Sequence, residues 1–195
     1  MSELESFFEE QYPIIRDRLT HSLHPEYHYH NIRHTMDVIE QSQIIGAAEG
    51  LNKRELLLLK IAALFHDTGF LKNRKDHEST SVEYFKIAAT NQLSPEDIIQ
   101  ISQSIMSTKM PQMPFNQIDK VLCDADLDYL GREDFIAIAG ALFREMNFCD
   151  EIQSEGEWDL LQVQFLSRHQ FHTQFSKNNR GPGLIKNLEW VQARL

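Results

Sequence analysis

The chemistry in this chain gathers around one dipeptide, His66-Asp67, at the end of the apolar run Leu-Leu-Leu-Leu-Lys-Ile-Ala-Ala-Leu-Phe from Leu56 to Phe65. A run this dense in helix formers, with only Ile61 β-branched, predicts a buried helix. Gly69, just beyond, is expected to stop it. An imidazole and a carboxylate therefore sit on the last turn of a core helix. Burying an unpaired carboxylate is costly, so Asp67 calls for a partner. A metal ion is one partner that would also use the adjacent imidazole. Two further stretches offer ligands of the same kind. In His30-Asn31-Ile32-Arg33-His34 the two histidines, if helical, are one turn apart on one face. In Cys123-Asp124-Ala125-Asp126-Leu127-Asp128 three aspartates are set among apolar residues, so at least one should face inward.

Helices must position these groups. A helix is expected over 3–19, bent or interrupted at Pro13, followed by a loop through Pro25 to His30 that holds His21, His24 and His28. A second helix spans 31–49 and closes at Gly50. Asn52 and Glu55 form a capping box for the third, which runs to His66. A basic loop with Lys72, Arg74 and Lys75 leads to a helix over 77–90. Ser94-Pro95 starts the next, which runs to Ser107. After a proline-containing loop over 109–114, helices are expected over 116–130, broken by Gly131, then 133–148 and 155–175. A turn at Ser-Lys-Asn-Asn-Arg-Gly-Pro-Gly precedes a last helix from Leu184. No stretch alternates in the manner of a strand, so the fold class is all-α, a bundle of roughly eight or nine helices. Phe143, Phe148, Phe165, Phe171 and Phe175 read as core. His169 and His172, with Arg168, read as a solvated helix face.

The length of 195 residues suits one domain, 1–195. A net charge of −10 argues against a duplex nucleic-acid partner. No run is long and apolar enough to span a bilayer, and no charged-then-apolar start is seen, so a cytoplasmic protein without a membrane partner is expected. Cys123 and Cys149 form neither a disulfide framework nor a thiolate metal site, and are expected to pack as small side chains.

Tyr29-His30-Asn31 with His34, then His66-Asp67, then Asp124-Ala-Asp126-Leu-Asp-Tyr-Leu-Gly131, resembles the His-Asp (HD) superfamily of metal-dependent phosphohydrolases. The opening Tyr-His-Asn-x-x-His also resembles that of cyclic-nucleotide phosphodiesterases. The resemblance covers 29–131. It implies His34, His66, Asp67 and Asp126 as metal ligands, with manganese, magnesium, nickel, zinc or iron all compatible with such a nitrogen and oxygen set. It also implies His30 as proton donor to the leaving oxygen and Asp67 as a group that orients the attacking water. The substrate would then be a small phosphorylated molecule, a phosphomonoester or phosphoanhydride, possibly a nucleotide. Its phosphate would be neutralised by basic groups, for which Arg33, Lys72, Lys109 and Arg180 are candidates. His77 and Glu78 read either as a rim contacting substrate or as an ordinary helix start. Asp124 and Asp128 would support the ligands or lie on the surface. Dinuclear members add two histidines between the His-Asp pair and the last aspartate. This chain has only His77 there, which favours one tightly held metal and lowers the reading as a di-iron oxygenase. A metal-binding module without turnover, acting as a sensor or partner-binding protein, is the other alternative. Oligomeric state is not legible.

Overall fold

In a computed structural model describing residues 2–195, ten α-helices and two 3₁₀ turns are found among the described residues, and no strand. The helices are α1 (Glu3–His21), α2 (Ile32–Ala48), α3 (Lys53–Phe65), α4 (His77–Ala89), α5 (Pro95–Ser107), α6 (Gln117–Asp126), α7 (Phe135–Phe148), α8 (Glu155–Arg168), α9 (Gln174–Asn179) and α10 (Gly181–Gln192). The 3₁₀ turns are Thr68–Leu71 and Asp128–Gly131. None of these helices is long and apolar enough to cross a membrane.

Most starts follow from local chemistry. Asn31 caps α2 through its side-chain oxygen on the Arg33 amide, and Asn52 with Glu55 closes a capping box on α3. Ser94 caps α5 with Pro95 at its first position. The Asn31 amide group also donates to the His28 and Tyr27 carbonyls, at 2.8 and 3.2 Å. One residue thus starts a helix and fastens the loop that carries Tyr29 and His30.

Two apolar clusters organise the layers. The first joins α1 through α6 around α3, whose residues from Leu58 to Phe65 are all buried except Lys60. At its centre Phe7 stacks on Phe65, and Phe85 meets both rings edge-on. The second joins Tyr29, the Asp128–Gly131 turn, α7, α8 and α10. The ligand-bearing ends of α2, α3 and α6 belong to the first cluster, and the second covers them.

Several expectations are corrected. Pro13 does not interrupt α1, which runs through it. Leu4, Phe7, Phe8, Ile15 and Leu19 are all buried on one face, so packing outweighs the single lost backbone bond. His30 lies before the cap of α2, so His30 and His34 are not one turn apart on a helix. Gly69 does not end α3. That helix stops at Phe65, and Gly69 sits in the 3₁₀ turn, where a Cβ would lie 1.9 Å from the His77 carbonyl oxygen. The glycine lets α4 begin against this turn, and Ser81 Oγ accepts from its amide at 2.8 Å. The Gly-Pro-Gly stretch is likewise no turn but the start of α10. A Cβ on Gly183 would lie 2.0 Å from the Gly131 carbonyl oxygen. Finally, α8 ends at Arg168, and residues 169–173 are not helical. There fully buried Asp124 accepts from the His172 and Thr173 amides at 2.8 Å each and from Thr173 Oγ1 at 2.6 Å. His169 and His172 are half-buried in this segment rather than on a solvated helix face, and burial lowers the His169 pKa to about 4.

Gly69→Ala is therefore expected to destabilise the protein by about 3 kcal/mol, the upper range for overpacking. The cost falls on the junction that places His77. A thermal melt unchanged from wild type would show that α4 moves aside freely.

Candidate metal centre and adjoining cavity

His34 comes from the first turn of α2, His66 and Asp67 from the junction between α3 and the first 3₁₀ turn, and Asp126 from the last residue of α6. Their donor atoms converge. His34 Nε2 lies 3.3 Å from His66 Nε2, 3.4 Å from Asp67 Oδ2 and 3.1 Å from Asp126 Oδ1. His66 Nε2 lies 3.2 Å from Asp67 Oδ2 and 3.5 Å from Asp126 Oδ1. Ligands about 2.0–2.2 Å from one ion stand at about this separation from each other.

Three features show that this set fits a divalent cation. The His66 Nδ1–H donates to the Ala63 carbonyl at 2.8 Å, which leaves the Nε2 lone pair facing the group. Asp67 Oδ2 is buried with no hydrogen-bond partner. The electrostatics agree. Burial pushes the Asp126 carboxyl up, but His34 and His66 bring it down to about 2. Burial works against charge on His66 as well, yet Asp67 and Asp126 hold its pKa well above the ordinary value. His34, His66 and Asp67 offer donors that all lie within 4.8 Å of one another, Asp126 approaches both imidazoles, and two carboxylates in such a group want a positive charge beside them.

The other Asp67 oxygen, Oδ1, faces His77 Nε2 at 3.4 Å. His77 Nδ1 bonds to the Arg74 carbonyl at 3.1 Å, and Glu78 Oε1 is 3.6 Å from His77 Nε2. Burial lowers the His77 pKa, but Asp67 more than offsets this and raises it.

His30 stands beside the centre with its ring stacked on Phe70, centroids 4.1 Å apart. Its Nδ1 bonds to Glu145, a fully buried carboxylate on α7. Glu145 Oε2 also accepts from the Tyr29 and His30 amides at 2.9 and 3.0 Å, and its Oε1 from Arg74. Arg74 further grips Glu151 at 2.7 and 3.0 Å. Burial raises the Glu145 pKa, but the His30 and amide bonds bring it down to about 2. A carboxylate depressed from 4.5 to about 2 stabilises the fold fully above pH about 4.5, and that contribution is lost as pH falls toward 2. The acid limb of wild-type stability is accordingly expected to be steeper than that of Glu145→Gln over this window. Parallel slopes in pH-dependent urea melts would remove Glu145 from the account.

A cavity of about 320 Å³ opens on this centre, lined at one end by His30, Asp67, Arg74, His77, Glu78 and Asp126. Among the basic candidates read from sequence, His77 lines this wall and the others do not. Arg33 is exposed and lines a neighbouring groove with Arg132 and Arg144. Lys72 lies 3.9 Å from Glu83, and Lys109 pairs with Asp76 at 2.6 Å. Arg180 is held by fully buried Asp128 at 2.8 Å, tying α10 to the second 3₁₀ turn. Asp128 is thus a structural anchor, as is Asp124. Sequence reasoning missed Arg74 as a site residue and missed Glu145. The one signal for Glu145 was a carboxylate inside an apolar helix.

An all-α helical bundle with a buried group of histidine and aspartate donors is the class that the helical order and the site define. No family model and no curated protein matches the chain. Among solved structures, it is similar to the crystal structure of a predicted HD superfamily hydrolase from an uncultured Thermotogales bacterium, with TM-score 0.63 and 23% identity over 95% of this chain and 89% of that one. The two chains share the fold.

Proposed function

We propose that this chain is a metal-dependent phosphohydrolase of the HD superfamily. It would cleave a phosphomonoester or phosphoanhydride of a small molecule, in the cytoplasm. The observation that carries the reading is the convergence of the His34, His66, Asp67 and Asp126 donors beside a histidine held by a buried glutamate, on one cavity wall. The similar solved structure, a predicted HD superfamily hydrolase, supports hydrolysis as the general reaction class.

A divalent ion held by those four residues would polarise a phosphoryl oxygen and acidify a bound water. The chain's own groups do the rest. Asp67 orients the attacking water. His77, whose charged form Asp67 favours, and Arg74 face the phosphate with positive charge. A water oxygen bonds to phosphorus and releases its proton to solvent, the bond to the leaving oxygen breaks, and His30 delivers a proton to that oxygen. Glu145 fixes the His30 ring through its bond to Nδ1.

The test is phosphate release from a panel of nucleotides and small phosphoesters, with manganese and with chelator in parallel. Release that requires metal is expected for one compound class. Silence across the panel, in protein with metal confirmed, would favour a metal-binding module without turnover.

A further inference from the structure

The cavity has two unlike ends. Beyond the metal donors its wall is built by Leu130, Phe135, Leu142, Met146, Trp158 and Phe165, from the second 3₁₀ turn, α7 and α8. No lysine or arginine lines that end. Its mouth is apolar as well: Met110 and Leu161 line the cavity and are 52% and 37% exposed. One polar group stands out. Gln162, 7% exposed, also lines the cavity, and its Oε1 is buried with no partner. The Gln162 amide nitrogen is occupied by Asp159 at 3.3 Å, which is itself held by Arg194 at 2.9 Å.

Resting on the phosphohydrolase reading, we propose that the substrate is a phosphate ester whose organic part is apolar and uncharged, a hydrocarbon or aryl group, bearing at most one hydrogen-bond donor that meets Gln162 Oε1. A sugar ring would bring several hydroxyls into this lobe, and the lobe offers too few partners to satisfy them. An apolar group gains by leaving water for the same walls. The phosphate then sits against Arg74, His77 and the metal donors while the body fills the space under α7 and α8.

Binding and turnover should be measured on the metal-loaded protein. Calorimetry would follow methyl-, butyl-, hexyl- and octylphosphonate, which cannot be hydrolysed. Rates would be taken on the matching alkyl phosphates, glycerol phosphate and adenosine monophosphate. Affinity and kcat/KM are expected to rise about fourfold per methylene, the value of about 0.8 kcal/mol for a buried CH₂, until the cavity is full. The polar esters should fall below hexyl phosphate. Leu161→Lys should lose at least tenfold in affinity for hexylphosphonate relative to methylphosphonate. It changes a partly exposed side chain, so folding is expected to survive. Hydrolysis with no chain-length dependence, or with adenosine monophosphate preferred, would overturn the apolar substrate and leave the phosphohydrolase reading. Chain-length-dependent binding with no ester hydrolysed would overturn the phosphohydrolase reading and leave the apolar preference of the cavity standing.

Discussion

Replacing Asp67 with alanine is expected to lower metal affinity by more than about 100-fold, beyond the loss typical of a residue that only supports a ligand, and to abolish phosphate release with it. The reason lies in one atom. Asp67 Oδ2 is buried, lacks a hydrogen-bond partner, and faces His66 Nε2 and His34 Nε2 at 3.2 and 3.4 Å. The alanine variant keeps two imidazoles and Asp126 but loses one of two negative charges at the centre. Asp67→Asn separates charge from shape: it fills the same space, and it too should lose metal. The readouts are metal content by mass spectrometry and a thermal melt in chelator, which reports the apo fold. Full metal stoichiometry in Asp67→Ala would take Asp67 out of the coordination sphere.

His30→Ala is expected to keep its metal and to lose rate by about 10²–10⁴-fold on substrates with poor leaving groups, the usual worth of a positioned general acid. A nitrophenyl ester, whose leaving oxygen needs no proton, should lose far less. Glu145→Gln should follow His30→Ala in direction, because the carboxylate touches His30 and not the phosphate. Equal loss on both leaving groups would sink the proton-donor role. Glu145→Gln further places an amide against Arg74, a donor facing a donor, so some loss of stability should accompany it.

The all-α class and most helix starts were legible in the sequence because caps are local devices. Asn31, Asn52 with Glu55, and Ser94-Pro95 each satisfy amides within three residues. His66 and Asp67 were legible for another reason: an imidazole and a carboxylate at the end of an apolar helix need a partner wherever the chain takes them, while the choice of His34 and Asp126 to join them came from the resemblance to the HD superfamily. Glycines and prolines were read less well. Their local rules predict breaks at Pro13, Gly69 and Gly181-Pro182-Gly183, and packing set the outcome at each. Pro13 stays in its helix because the face around it is buried. Gly69, Gly131 and Gly183 are sites of backbone contact between segments, which no local pattern records.

The residues around the centre depended still more on tertiary structure. Cations such as Lys72, Lys109 and Arg180 choose the nearest carboxylate in space, and those proved to be Glu83, Asp76 and Asp128 rather than a substrate wall. Glu145 meets His30 across 115 residues of chain, and Arg74 reaches it from a third segment. The sequence by itself determined the all-α class, most helix starts and the presence of imidazoles and carboxylates within apolar helices, since these follow from residue type and short spacing. Only the tertiary structure decided which charge steadies His30 and what lines the space beyond it, because both rest on contacts between helices that lie far apart in the chain.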